Sequence, residues 1–292
     1  MIHRDVPETL RPCLQTHLVN SKEIRKVSFT GSVATGKAIM AASANDVKRV
    51  TLELGGNDPA IIRADVDIAQ VAPEVFSGAF SNTGQICCAI KRAYVHESIY
   101  DEFVAAIAAE AKAAAGAMGD GFDASTEFGP LNNEMQFTKV QGIVEDARAG
   151  GATIVTGGKV MDGAGKGYFY EPTIISDVME GTRIVDEEQF GPVLPIIKYS
   201  DDEEALARAN DSDLGLGGSV WSKDIAAANA LANRIESGTV WVNQHLTMTG
   251  APFGGYKSSG LGRELGGADV TAFTEPQTLM LAKSGKVPSA SL

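Results

Sequence analysis

Short apolar strands alternate with helical segments along the chain, and this alternation restricts the possible folds more than any other feature of the sequence. The first unit is predicted as a strand at 24–29, a helix at 38–44 and a strand at 49–54. A similar unit follows near the end, with strands at 217–221 and 239–242 around a helix. Because parallel strands need long crossovers, which are usually helices, the sequence predicts an α/β fold around a largely parallel sheet.

Local patterns add predictions about helix starts and about both ends of the chain. Leucines four apart indicate a short helix at 7–18, and an apolar run indicates a late strand at 277–281. Ser98 with Asp101, and Ser200 with Glu203, have the spacing of capping boxes, so each pair is predicted to begin a helix.

Composition and charge exclude several classes of protein. The chain has 25 basic and 37 acidic residues, a formal charge of -12, which argues against a nucleic-acid partner. It shows neither a signal-peptide pattern nor an apolar run long enough to span a membrane. Two of its three cysteines are adjacent, which disfavours a disulfide framework and favours a reducing compartment. We therefore expect a cytoplasmic protein.

The two adjacent cysteines, Cys87 and Cys88, lie in a segment rich in Gly, Gln and Asn at 80–92. A thiolate is a strong nucleophile when a base, a positive charge or backbone N–H groups stabilise it. Free cysteines are also common as small buried apolar residues. The local sequence leaves both interpretations open.

Residues 31–37 match the glycine and lysine positions of a phosphate-binding loop between a strand and a helix. Ala38 follows, so the hydroxyl that would bind magnesium in a nucleotide triphosphatase is missing. A glycine turn at a helix N-terminus also suits the pyrophosphate of a dinucleotide. Three interpretations remain: a triphosphatase loop, a dinucleotide phosphate site and a structural turn.

Glu53 ends a predicted strand and is followed by Leu54 and a glycine pair, Gly55 and Gly56. A carboxylate at a strand end beside such a pair can face a ligand cleft. The alternative is a solvated or helix-capping glutamate.

Six motifs stand in one order along the chain: residues 27–32, 52–56 (Leu-Glu-Leu-Gly-Gly), 84–87 (Gly-Gln-Ile-Cys), 188–192 (Glu-Gln-Phe-Gly-Pro), 241–243 (Trp-Val-Asn) and 252–260 (Pro-Phe-Gly-Gly-Tyr-Lys-Ser-Ser-Gly). Glu53 and Cys87 belong to two of these motifs. Together the six motifs resemble the C-terminal part of the NAD(P)-dependent aldehyde dehydrogenase family. The resemblance implies an aldehyde dehydrogenase-like catalytic domain plus a partial Rossmann-like cofactor-binding segment.

The resemblance also implies a site for oxidising an aldehyde to a carboxylic acid with NAD or NADP. Cys87 would be the nucleophile, passing through a thiohemiacetal and a thioester, and Glu53 the general base that releases the acid by hydrolysis. No metal is expected. The implied cofactor-binding residues are Gly31, Ser32, Leu54, Glu188 and Phe190, and the implied substrate-side residues are Asn243 and Phe253.

The motifs begin partway along the family's pattern, so we expect about two hundred residues of that pattern to be absent from the front. The predicted divisions are a dinucleotide-domain remnant at 1–54, a catalytic domain at 55–260 and a C-terminal segment at 261–292 whose strand builds a homo-oligomer, a dimer or a tetramer. Two functions follow: an aldehyde oxidoreductase, or an inactive piece that serves in assembly. Asn57 and Asp58 stand where many relatives have a lysine after the glycine pair.

Overall fold

The structure is a computed structural model that describes residues 11–161, 167–247 and 250–281. The predicted helix at 7–18 therefore lies partly outside the described residues. The strands of the described residues are β1 (Lys26–Thr30), β2 (Arg49–Glu53), β3 (Asp58–Ile62), β4 (Ile90–His96), β5 (Thr153–Thr156), β6 (Thr173–Ser176), β7 (Val193–Tyr199), β8 (Leu214–Gly215), β9 (Gly217–Trp221), β10 (Thr239–Val242), β11 (Tyr256–Lys257) and β12 (Gly260–Leu261).

Helices cover the crossovers between these strands, as the alternation predicts. They are α1 (Arg11–Asn20), α2 (Val33–Ser43), α3 (Ile68–Phe80), α4 (Tyr100–Gly116), α5 (Glu134–Ala149), α6 (Arg183–Asp186), α7 (Asp202–Asn210), α8 (Ile225–Ala232) and α9 (Gly266–Ala272). The predicted α/β class is confirmed.

The large sheet comprises seven strands of the described residues, in the order β10-β9-β3-β4-β7-β6-β5. Its neighbouring strands are parallel except for β5, which pairs antiparallel with β6. Every residue of β3 is buried, because helices cover both faces of the sheet. Ile61 belongs to the apolar core on one face and Ile62 to the core on the other.

The small sheet has the order β1-β2-β12 in the described residues. Strands β1 and β2 are parallel and joined by α2, which is the predicted first unit. Strand β12 joins β2 antiparallel, with Gly260 opposite Glu53. This pairing brings the C-terminal motif against the strand that carries the glutamate, although 55–260 was predicted as a separate domain; the domain boundaries stay predictions.

Both capping-box predictions are wrong in detail. Helix α4 begins at Tyr100, after a short 3-10 turn, so Ser98 does not cap it. The Ser98 N–H donates instead to His96 Nδ1. Asp201 caps α7, accepting from the backbone of two residues in the first turn, while Ser200 donates its hydroxyl to Glu204. Residues beside each predicted cap offered a better-placed acceptor, which the spacing alone did not reveal.

Residues 277–281 form no strand in this chain, so the predicted late strand is not observed here. Leu279, Met280 and Leu281 are between 81% and 88% exposed. A strand needs a partner to satisfy its backbone hydrogen bonds, and this segment packs against none of the described strands. Pairing with another copy in a homo-oligomer stays a prediction.

Candidate active site

The cysteine turn, residues 86–89, lies directly before β4 at the amino end of a central strand of the large sheet. Helix α3, capped by Asp67, stops at Phe80, and Asn82, Thr83 and Gly84 then adopt positive φ angles of 52°, 58° and 70°. A side chain at Gly84 would come within 2.2 Å of the Gly191 carbonyl oxygen. This left-handed run turns the chain between the end of α3 and β4, so that the cysteines lie at the amino end of a central strand.

The two cysteines have different surroundings. Cys88 is 2% exposed and belongs to an apolar cluster, whereas Cys87 is half-buried. A hydrogen bond from the Cys88 side chain, together with the charge of Lys91, lowers the pKa of Cys87 to about 7, although burial and Glu188 oppose this shift. The same hydrogen bond and burial raise the pKa of Cys88. The nucleophile interpretation therefore suits Cys87, and the buried-residue interpretation suits Cys88.

Glu53, the last residue of β2, is 3% exposed, and neither carboxyl oxygen has a hydrogen-bond partner among the described residues. Burial first, and then the nearby Glu264 and Cys87, raise the pKa of Glu53 to about 8, while Arg263 opposes this. A carboxyl group in this state can accept a proton near neutral pH.

The C-terminal motif holds the segment around Glu53 in place. The Leu54 N–H donates to the Ser259 carbonyl at 2.9 Å, and the Ser259 hydroxyl donates to the Gly55 carbonyl at 2.6 Å. The same hydroxyl accepts from the Gly215 N–H at 2.9 Å. One buried side chain thus joins the glutamate motif to the end of β8.

The lining of an open cleft of about 740 Å³ includes the start of α2, at Ser32, Val33 and Ala34, and also includes Glu188. Ser32 caps α2, accepting from the Thr35 N–H at 3.2 Å. The first turn of α2 has no acidic residue to compete with an anion.

These residues fit a dinucleotide better than a nucleoside triphosphate. The uncompensated N-terminus of an eleven-residue helix suits a pyrophosphate, and a carboxylate in the lining of the same cleft suits ribose hydroxyls. Glu188 Oε1 accepts from the Gly56 N–H at 3.0 Å, which fixes the carboxylate at that position. Lys37, which a triphosphatase loop would use, is exposed on α2.

The other predicted cofactor residues are Gly31, Leu54 and Phe190. Gly31 leads into α2, and its N–H donates to the Glu53 carbonyl at 2.9 Å. Leu54 is buried and packs so closely against Gly36 that a side chain there would clash. Phe190 is half-buried with a positive φ of 50°. Its place beside a nicotinamide stays a prediction.

The two predicted substrate-side residues have very different positions. Phe253 is buried in the cluster that contains Cys88 and packs against Cys87. Asn243 follows β10 at its carboxyl end, whereas Cys87 precedes the amino end of β4, a parallel strand of the same sheet. The Asn243 side chain donates to and accepts from the backbone of Ser222, at 2.8 Å each. This placement does not support the predicted substrate-side role of Asn243.

Three buried polar residues near the turn were not predicted as part of the site: Asp58, Lys91 and His245. Lys91 interrupts the apolar start of β4, which is a signal that the sequence did offer. Burial raises the pKa of Asp58 to about 8, and burial lowers the pKa of His245 to about 3. His245 Nε2 lies 2.8 Å from the Cys88 carbonyl oxygen. No sequence pattern placed His245 beside a residue so far away in the chain.

Asn57, which stands where many relatives have lysine, is buried and makes structural hydrogen bonds. Its amide donates to the Val185 carbonyl at 2.8 Å, and its own carbonyl accepts from Arg92 Nε at 2.9 Å. The neutral side-chain amide therefore ties the glycine-pair segment to α6 without adding a charge, and the backbone carbonyl of Asn57 ties it to β4.

The described part of the chain contains no cluster of three or more His, Cys, Asp or Glu side chains arranged to hold a metal ion. None of its helices is both long and apolar enough to cross a membrane. The predicted cytoplasmic location stays a prediction.

Comparisons with known proteins identify relatives of nearly the whole chain. A family model described as "Aldehyde dehydrogenase family" matches residues 9–279. The human protein "Aldehyde dehydrogenase, mitochondrial" is 43% identical over 280 residues, which cover 95% of this chain and 52% of that protein.

Two solved structures have similar folds. Betaine aldehyde dehydrogenase from Staphylococcus aureus, in complex with NAD+, has a TM-score of 0.85 at 42% identity and covers 88% of this chain and 51% of its own. Mycobacterium tuberculosis aldehyde dehydrogenase, complexed with NAD+, has a TM-score of 0.88 at 39% identity, covering 92% of this chain and 55% of its own. The chain thus spans about half the length of the relatives it matches.

Proposed function

We propose, from the premise that this chain belongs to the aldehyde dehydrogenase family, that it carries the thiol and base of a site that oxidises an aldehyde to a carboxylic acid. One observation carries the proposal. The thiol pKa of Cys87 is lowered to about 7, and the charge of its thiolate raises the pKa of the nearby Glu53. Glu53 is buried, and its carboxyl group has no hydrogen-bond partner among the described residues. A nucleophile and a proton acceptor are the two groups that this reaction requires.

The first step is addition of the Cys87 thiolate to the carbonyl carbon of the aldehyde. A C–S bond forms, and the carbonyl π electrons move to oxygen, which becomes the oxyanion of a thiohemiacetal. We assign the Cys87 backbone N–H as one donor to that oxyanion. The Cys88 side chain, which hydrogen-bonds to Cys87, lowers the cost of holding the thiolate before the aldehyde arrives.

NAD or NADP, when bound, supplies the acceptor for the hydride that leaves the thiohemiacetal carbon. In this chain Ser32 and the N-terminus of α2 would hold the pyrophosphate, and Glu188 would hold ribose hydroxyls. Phe190 and Leu54 complete that side of the proposed site.

The last step is hydrolysis of the thioester on Cys87. Glu53, in its carboxylate form, takes a proton from water as the water oxygen attacks the thioester carbon. The C–S bond breaks, the Cys87 thiolate leaves with the bonding electrons, and the carboxylic acid departs. Burial is what keeps Glu53 basic enough for this role.

The test replaces each proposed group and follows NAD(P)H absorbance with betaine aldehyde and a simple aliphatic aldehyde as probes. Cys87→Ser is expected to lose at least about 10³-fold in turnover, because no thioester can form. Glu53→Gln is expected to keep a burst of one NAD(P)H per site but to lose about 10²-fold in steady-state rate, because hydrolysis stalls.

Cys88→Ser is the matched control for Cys87→Ser, because it changes the adjacent sulfur and keeps a hydroxyl donor. Equal losses in the two serine variants would remove the distinction between the two cysteines. A folded wild-type chain that neither binds NAD(P) nor oxidises any probe aldehyde would instead support an assembly role.

A further inference from the structure

Two buried side chains hydrogen-bond to the backbone of the cysteine turn. Lys91 Nζ donates to the Ile86 carbonyl at 2.7 Å and to the Ala89 carbonyl at 3.2 Å. His245 Nε2 lies 2.8 Å from the Cys88 carbonyl oxygen. A carbonyl oxygen only accepts, so His245 must carry its proton on Nε2. Three carbonyls of the turn are therefore held by donors that solvent does not reach.

The carbonyl of Cys87 itself is enclosed by backbone. A side chain on Gly56 would bring its Cβ within 2.4 Å of the Cys87 carbonyl oxygen, so the glycine permits this close approach. With this contact every carbonyl from Ile86 to Ala89 is fixed, and the direction of the Cys87 side chain is set by a main chain with little freedom.

The two side chains that hold the turn, Lys91 and His245, differ in charge. Burial lowers the pKa of His245 to about 3, so its ring is neutral. Lys91 is 1% exposed; burial lowers its pKa, but the carboxylates of Glu188 and Asp58 favour its charged form. Buried ammonium groups are retained where carbonyls and carboxylates replace their lost water.

We propose that Lys91 is a positioning residue for the nucleophile: its ammonium group fixes the backbone of residues 86–89 and supplies the positive charge that stabilises the Cys87 thiolate. The inference rests on the proposed function in taking Cys87 as the nucleophile. It adds to that function a cation, built into the strand that follows the turn, which no ligand has to provide.

The other groups around Cys87 make this charge necessary. Burial and the Glu188 carboxylate oppose formation of the Cys87 thiolate, and the thiolate in turn raises the pKa of Glu53 and of Asp58. The Cys88 side chain favours the thiolate through a hydrogen bond, without a positive charge. Lys91 is therefore the cation on which the thiolate depends among these groups.

The experiment measures the rate at which iodoacetamide alkylates Cys87 between pH 5.5 and 9.5, in the full chain without cofactor or aldehyde. Mass spectrometry assigns the label to Cys87 or Cys88. The wild type is expected to show a midpoint at about pH 7. Lys91→Met is expected to raise that midpoint by about one pH unit and to slow alkylation at pH 7 about fivefold.

Three further variants isolate the charge. Lys91→Gln removes the charge but keeps an N–H donor for the turn, so it gives the same midpoint shift in a chain that retains the local fold. Lys112→Met removes an exposed lysine of α4 and is expected to leave the midpoint unchanged. His245→Phe removes a neutral donor, so it is expected to change the alkylation rate without moving the midpoint.

The outcomes separate the two proposals. If circular dichroism shows that a neutral Lys91 variant is folded and its midpoint equals that of the wild type, the role of Lys91 is overturned. If wild-type Cys87 lacks a midpoint near pH 7, or Cys88 takes the label, the assignment of the nucleophile fails instead, whatever the Lys91 variants do.

Discussion

The large and small sheets support the two sides of the candidate site very differently. The cysteine turn precedes β4, in a sheet with apolar cores on both faces. Glu53 ends β2 of the small sheet, and Gly31 and Ser32 follow its strand β1, which has no fully buried residue. The thiol is therefore held by a dense interior, while Gly31 and Ser32 are exposed.

The difference teaches which part of the chemistry this chain organises by itself. In the described residues β1 pairs with β2 alone, so its other edge has unpaired backbone groups, a feature that natural proteins usually cover. Regions with few buried apolar contacts open with low free energy. We expect the cysteine turn to keep its geometry under conditions in which the start of α2 does not.

The sharpest test of this contrast replaces one glycine on each side. Gly56→Ala forces a Cβ to within 2.4 Å of the Cys87 carbonyl and 2.8 Å of Asp58 Oδ1, in a region that cannot yield. In Gly31→Ala the Cβ meets the end of the Phe29 ring, which is only half-buried and can rotate away. We expect Gly56→Ala to slow Cys87 alkylation at least about tenfold and Gly31→Ala less than about twofold.

Alkylation by iodoacetamide and the urea midpoint of unfolding are measured together on both glycine variants. Similar losses in the two would show that the small sheet is as closely packed as the large one, and the contrast would fail.

A second pair compares the helices that cover the two sheets. Ile107 of α4 is completely buried against the large sheet, and Ile39 of α2 is half-buried on the small one. Ile107→Ala is expected to lower the free energy of unfolding by about 3 kcal/mol, because it leaves a cavity in a dense core. Ile39→Ala should cost about 1 kcal/mol or less. Urea unfolding curves measure both, and a larger loss for Ile39→Ala would reverse the comparison.

The last test concerns the pH dependence that Glu53 gives to stability. Its pKa is raised from 4.5 to about 8 in the folded chain, so between these values the folded state retains a proton that the unfolded state has lost. Wild-type stability should therefore fall, relative to Glu53→Gln, as pH rises from about 5 to 8, with a slope below the one-proton limit of about 1.4 kcal/mol per pH unit. Urea unfolding at pH 5, 6.5 and 8 measures this; a difference that stays constant over this range would mean that folding does not raise the pKa of Glu53.

The sequence predicted the parts of this molecule that depend on local pattern. The alternation of strands and helices predicted the fold class, and the resemblance of six motifs to a known family predicted the candidate site around Glu53, Cys87 and Glu188. These motifs carry their geometry with them: a strand end, a glycine pair and a turn before a strand are local arrangements.

The sequence could not predict contacts between distant segments. His245 contacts the Cys88 carbonyl, 157 positions earlier in the chain, and the Asn243 side chain hydrogen-bonds to the backbone of Ser222. No spacing rule predicts either contact. The predicted helix caps Ser98 and Ser200 failed because in each case a neighbouring side chain accepts the backbone hydrogen bond instead. Where polar groups are buried, the partner decides the role, and the partner is set by the tertiary fold.

The long-range hydrogen bond of the Ser259 hydroxyl also limits how early during protein synthesis the site can form. It bonds to the Gly55 carbonyl, 204 positions earlier in the chain, and Gly260 pairs with Glu53. During synthesis from the N-terminus, both contacts must wait until this late segment has left the ribosome, and contacts of such long range form slowly. A nascent chain therefore carries its cysteines well before a closed site around the glutamate can form.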